Sequence, residues 1–137
     1  MMLVDTGPLV ALFDPKDGQH QRCVKALKAV REPLRTTGPV LTEAFHMLDP
    51  ASIGSDRLRE FILKGGMSVW WFDQASLGRA FELMDTYSDH PMDLADASLI
   101  VAAEMLGTRT VFTVDRKDFA AYRVRRGHRH YNLEIVP

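Results

Sequence analysis

Apolar positions along the chain fall into short runs alternating with stripes at helical spacing. Met2, Leu3 and Val4 form an apolar run closed by DTGP, which predicts a buried strand ending at Asp5. PLVALFD then predicts a short helix opening on Pro8, since proline suits a first helical position. From Asp17, a candidate N-cap, Cys23, Val24, Leu27 and Val30 recur at helical spacing and predict an amphipathic helix with a basic outer face. PLRTT reads as an extended piece. After TGP a helix follows whose apolar positions include Leu41, Phe45 and Leu48, with Glu43 and His46 on its other side.

ASIGSDRLREFILKGG predicts a helix stopped by Gly65 and Gly66. MSVWWF follows as a strand whose alternation sends Trp70 and Trp71 to opposite faces. Asp73 caps the next helix, with Leu77, Ala80, Phe81, Met84 and Tyr87 on one face. A further helix spans 92–106 and ends at Gly107, TVFTV before Asp115 is a β-branched strand, and NLEIV is the last strand. Short strands separated by stretches too long for hairpins imply crossover connections. The fold class is α/β, with a mainly parallel sheet and helices on both faces.

A chain of 137 residues suits one domain over 1–137. Seventeen basic and eighteen acidic residues leave a net charge of -1, so the overall balance points to neither nucleic acid nor membrane. Cys23 is the single cysteine, which excludes an internal disulfide and a cysteine-based zinc site and suits a buried helix position. No apolar run approaches the ~18 residues of a membrane span, and MMLVD meets a charge too early for a signal peptide. A cytoplasmic protein is expected.

The chemistry concentrates in acids. In a parallel sheet, ligands bind beyond the carboxyl ends of the strands where strand order reverses, and Asp5 and Asp115 both stand at strand ends. Asp93 and Asp96, three apart at the start of an apolar helix, share one helix face and join the same edge if the helix begins there. Crowded carboxylates repel unless a cation neutralises them, and an all-oxygen donor set favours Mg²⁺ or Mn²⁺ over zinc. Phosphodiester hydrolysis by an activated water is the matching chemistry. Each acid also has a plainer use: Asp93 as a cap favouring the helix dipole, Asp5 and Asp115 as turn residues, Glu43 as a solvated helix residue.

Arg116, Lys117, Arg123, Arg125, Arg126 and Arg129 concentrate six bases between residues 116 and 130. Such a segment either holds RNA phosphates that an acidic pocket would repel or forms a solvated basic turn. The histidines offer no nucleophilic triad, and the two of HRH lack further metal ligands.

VDTGPLVALFD, LTEAFHML, MDLADASLIVAAE and VFTVDRKDF occur in an order and spacing that resemble PIN-domain proteins, most of all the VapC-type ribonuclease toxins of prokaryotic toxin–antitoxin pairs. The likeness runs from residue 2 to about 120, and DPKDGQHQRC looks like the family's second-helix region. It implies a PIN-like three-layer α/β/α sandwich and Mg²⁺- or Mn²⁺-dependent cleavage of RNA. Asp5, Glu43, Asp96 and Asp115 match the family's acidic positions, and Asp93 matches a neighbouring one that varies; Asp118 would be an outer ligand or part of a turn. By the same likeness Thr6 and Thr113 steady carboxylates, and the partners are an antitoxin protein and a second copy in a homodimer. The helix from Asp17 and the helix bearing Glu43 would form the groove for an antitoxin peptide.

Three other functions fit parts of the pattern: a PIN nuclease of RNA processing, a receiver-like phosphoacceptor domain gathering aspartates around Mg²⁺, and a non-catalytic RNA-binding module. Asp5 lacks the adjacent acid that a receiver would place after its first strand, and an RNA-binding module would leave the carboxylates unused.

Overall fold

Strand β1 (Met2–Val4) is buried along its whole length and lies between two parallel neighbours, β2 (Leu34–Thr37) and β4 (Thr110–Phe112). The computed structural model describes residues 1–137. Outside β2 lies β3 (Ser68–Trp70) and outside β4 lies β7 (Glu134–Val136), giving a five-stranded parallel sheet of order β3-β2-β1-β4-β7. The chain moves outward from β1 to β3, then returns across the sheet to β4. Strand order therefore reverses between β1 and β4, and the change of direction distributes helices over both faces.

Helix α1 (Thr6–Phe13) packs against α2 (His20–Ala29), α3 (Gly38–Leu48) and α4 (Ile53–Leu63). Helix α5 (Gln74–Thr86) packs along α6 (Leu94–Leu106). Eight of the thirteen residues of α6 are buried, including the whole run Ala97–Ala103. That helix is apolar nearly all round because it lies inside the molecule. The core joins β1, β4, α1, α3 and α6, with Phe112, Phe119 and Tyr122 among its largest fully buried side chains. No helix is long and apolar enough to cross a membrane.

Several local expectations need correction. Helix α1 opens at Thr6, not Pro8: the Asp5 side chain caps it by accepting from the Thr6 amide, and Pro8 falls within the first turn, where no intrahelical N–H is required. Helix α2 opens at His20 because the Asp17 carboxylate is spent on a tighter turn to the Gln19 amide. On α5 the buried positions are Ser76, Ala80 and Leu83, whereas Phe81 is 52% exposed. The two tryptophans do part company: Trp70 is buried and Trp71 is 67% exposed, its ring resting on the Cα of Gly38. Cys23 is buried in α2 and free.

The basic segment is neither a turn nor a loop. It forms a short helix α7 (Arg116–Ala121) and an antiparallel hairpin of β5 (Arg123–Arg126) and β6 (Arg129–Asn132), turning at Gly127 with φ 59°. Its buried anchor is Val124, which seats the hairpin on α6, and one apolar position is too little for alternation to announce a strand.

Candidate active site

The reversal of strand order between β1 and β4 opens a crevice at their carboxyl ends, and the chain fills it with acids. Asp5 follows β1 directly. Asp115 stands three residues beyond β4 as the N-cap of α7, accepting from the Asp118 amide at 3.2 Å. Asp93 is the N-cap of α6, accepting from the Asp96 amide at 2.8 Å, and so fixes the turn that carries Asp96. Glu43 comes from the middle of α3. Asp5, Glu43, Asp93, Asp96, Asp115 and Asp118 line one cavity of about 350 Å³, together with Thr6, Gly7 and Val114.

Asp5 is the most deeply set, 8% exposed. Its Oδ1 accepts from the Thr6 amide and its Oδ2 from the Thr113 hydroxyl, both at 2.7 Å. Burial outweighs those bonds and lifts its pKa to about 6, with Glu43 and Asp115 adding to the rise. Asp96 is lifted further, to about 7, by burial first and then by the charges of Asp93 and Asp5. Desolvation, then the hydrogen-bonded side chain of Asp118, raises Asp115; Asp118 moves down, held by Asp115 and by His90.

Thr113 is 1% exposed and bridges two acids, donating to Asp5 and accepting from the Asp115 amide at 3.0 Å. Thr6 serves Asp5 through its backbone N–H. Its hydroxyl is buried without a partner.

Two further residues, which sequence reasoning misses, stand at this site. The Tyr122 hydroxyl donates to Asp96 Oδ2 at 3.2 Å, and His90 Nε2 meets Asp118 Oδ1 at 2.5 Å. Nothing in the sequence marks either, because each meets its acid across more than twenty residues of chain. The basic residues are used differently from the expectation. Arg116 bonds the Pro137 carbonyl, Arg123 bonds the carbonyls of Ala120 and Tyr122, and Arg126 bonds that of Gly107. Arg125 lines a separate cavity beside the Arg79–Glu104 ion pair, and its amide donates to Glu104 at 2.7 Å. Lys117 is exposed in the first turn of α7.

The donor set fits a hard divalent cation. Every side-chain oxygen that lines the cavity belongs to a carboxylate or a hydroxyl and no side-chain nitrogen lines it, and the protein's lysine and arginine ion pairs all lie on other acids. No three of the acids close to the spacing of a complete cage. Such an open arrangement suits an ion that is held by one or two carboxylates and keeps much of its water, as Mg²⁺ does. A second, larger groove of about 740 Å³ adjoins the acids, sharing Glu43 and Asp93 and walled by Trp71, Phe72 and Leu94.

A family model described as the PIN domain matches residues 2–125. Ribonuclease VapC26 of Mycobacterium tuberculosis is 28% identical over 126 residues, covering 89% of this chain and 92% of that protein. Among solved structures, VapC20 of Mycobacterium tuberculosis, described as a sarcin-ricin loop cleaving toxin, superposes with a TM-score of 0.82 at 17% identity over all of both chains. A toxin–antitoxin complex from Klebsiella pneumoniae gives 0.67 at 20% identity, covering 88% of this chain and 92% of the other.

Proposed function

The chain belongs to the PIN-domain family, and on that premise we propose that it is a divalent-metal-dependent endoribonuclease, the toxin of a VapBC-type toxin–antitoxin pair. The observation that carries this reading is the single cavity at the β1/β4 reversal, where six acids meet without a lysine or arginine partner. Such a site is stabilised by a bound cation and repels a phosphate until one is present.

In this reading Asp5, Asp96 and Asp115, with Asp93 at the rim, would hold Mg²⁺ or Mn²⁺, one or two of them directly and the others through the ion's water. Bound there, the ion supplies Lewis acidity toward the scissile phosphate and lowers the pKa of water at the site. Glu43 accepts a proton from the attacking water. Thr113 keeps Asp5 and the loop of Asp115 in register. No side chain acts as a covalent nucleophile.

The substrate is RNA, gripped outside the acidic cavity. On the β5–β6 hairpin Arg126 lies directly opposite Arg129 and Arg125 stands beside them, all three exposed. Like charges placed directly across a strand pair are unfavourable, and a polyanion relieves them. We assign the antitoxin as protein partner and the Trp71 groove to a second copy of the chain, since an exposed tryptophan beside Leu94 and Phe72 is an apolar surface that association would cover. One domain over 1–137 working in the cytoplasm completes the assignment, and a single cysteine, Cys23, with no partner for an internal disulfide suits that compartment.

Sequencing RNA ends after expression of the wild type and of Asp96→Asn tests the reading. The amide is nearly isosteric with the carboxylate, so the variant folds, and new 5′ ends present with the wild type disappear. Undiminished cleavage by Asp96→Asn overturns the assignment.

A further inference from the structure

Behind Asp96 lies a buried hydroxyl that the proposed reaction does not use. The Tyr122 ring is 0% exposed and meets Tyr87, Phe119 and His90 edge-on, at centroid distances of 5.1, 5.2 and 6.0 Å. Three aromatic walls leave the ring little freedom, so packing decides where its oxygen stands. That oxygen stands 3.2 Å from Asp96 Oδ2.

The chain path makes the contact more than a local bond. Helix α7 begins at Asp115, its N-cap, and ends at Tyr122, its C-cap. Six helical residues therefore link an acid at the mouth of the cavity to the hydroxyl that meets Asp96 on α6. A carboxylate with one oxygen engaged by a fixed donor cannot turn freely about its last torsion, and its other oxygen is oriented in consequence.

We propose that Tyr122 is a positioning residue for the metal site: through its hydroxyl it orients the Asp96 carboxylate toward a divalent ion and ties α6 to α7, so that Asp96 and Asp115 keep one relative placement. The inference rests on reading the acid cavity as a metal site.

Tyr122→Phe keeps the ring and removes the oxygen alone. Tyr87→Phe is the matched control, because it removes a hydroxyl from the same aromatic cluster that accepts from the Arg123 amide at 2.9 Å and touches no acid. Calorimetric titration with Mn²⁺, thermal melting, and cleavage of a model RNA across Mn²⁺ and RNA concentrations are measured on all three proteins. Tyr122→Phe binds Mn²⁺ about 10-fold more weakly, its kcat falls by a similar factor and recovers in part at high Mn²⁺, and KM for RNA is unchanged. Tyr87→Phe binds Mn²⁺ as the wild type does, whatever its melting temperature. Equal Mn²⁺ affinity in Tyr122→Phe and wild type overturns the proposal, and so does equal weakening in both variants, which would assign the effect to packing. A wild type that binds no Mn²⁺ overturns the metal reading and this inference with it. Tyrosine-dependent Mn²⁺ binding without RNA cleavage upholds the inference and overturns only the nuclease reading.

Discussion

Replacing Asp5 by asparagine should make the protein more stable at neutral pH. The native carboxyl has a pKa of about 6 against 3.8 for the ordinary group, a rise caused first by burial. The folded state therefore binds its proton more tightly than the unfolded state does. The stabilisation that follows is complete below about pH 4 and is lost as pH rises through about 6. Two pKa units correspond to about 3 kcal/mol, which the wild type has forfeited at pH 7.5. Asparagine carries no charge to desolvate. It keeps an acceptor for the Thr6 amide, but the Thr113 hydroxyl loses its acceptor, at a cost of about 1 kcal/mol. A net gain of about 2 kcal/mol remains. With an unfolding entropy of about 2.1 cal/mol/K per residue over 137 residues, that is about 7 °C in Tm. Circular-dichroism melts of both proteins in EDTA at pH 7.5 and pH 4 read it directly. The gain should be present at pH 7.5 and absent or reversed at pH 4, and Mg²⁺ should narrow it by stabilising the wild type alone. A Tm at pH 7.5 that is unchanged or lowered by Asp5→Asn refutes the reasoning.

Two further predictions concern residues with divided duties. Asp93→Ala removes the cap of α6 and should cost about 1 kcal/mol in urea unfolding, whereas Asp93→Asn keeps the cap; if Asp93 also holds the ion, Asn lowers Mn²⁺ affinity while leaving the unfolding midpoint in place. Changing both Arg125 and Arg129 to glutamine should weaken binding of single-stranded RNA to the Asp96→Asn protein and flatten its dependence on log salt by about 0.7 for each phosphate that the hairpin no longer neutralises, with an unchanged slope counting against the hairpin as an RNA-binding surface.

Much of this architecture can be read from the chain because local chemistry and global placement agree. The apolar run Met2–Val4 followed by Asp5 is a buried strand delivering its acid to the crevice, and Gly107 ends α6 in a left-handed conformation at φ 71°. Asp73 caps α5 with a capping box, as its position before the apolar stripe predicts. What escapes sequence reading depends on meetings between distant segments. Tyr122 reaches Asp96 only once α7 has folded back on α6, and the hairpin of β5 and β6 shows a single buried side chain among eight strand residues. Phe81 sits on the apolar stripe of α5 yet faces outward, because the face that α5 buries centres on Ser76, Ala80 and Leu83 and is rotated away from it. Family membership removes the receiver-like alternative, which the missing acid after Asp5 already disfavoured.

The hydrogen bond from Thr113 to Asp5 joins residues 108 positions apart, and its consequence lies in the order of synthesis. The ribosome makes β1 early, but its neighbour β4 and the strand that flanks it, β7, are made after every other strand of the central sheet. A nascent chain displays Asp5 and Glu43 while lacking Asp96, Thr113 and Asp115. Until the segment through Asp115 has emerged and β4 has paired with β1, the acids have no common crevice in which to meet. On the proposed reading, the ribosome that makes this chain is therefore not exposed to a finished active site through most of this domain's synthesis.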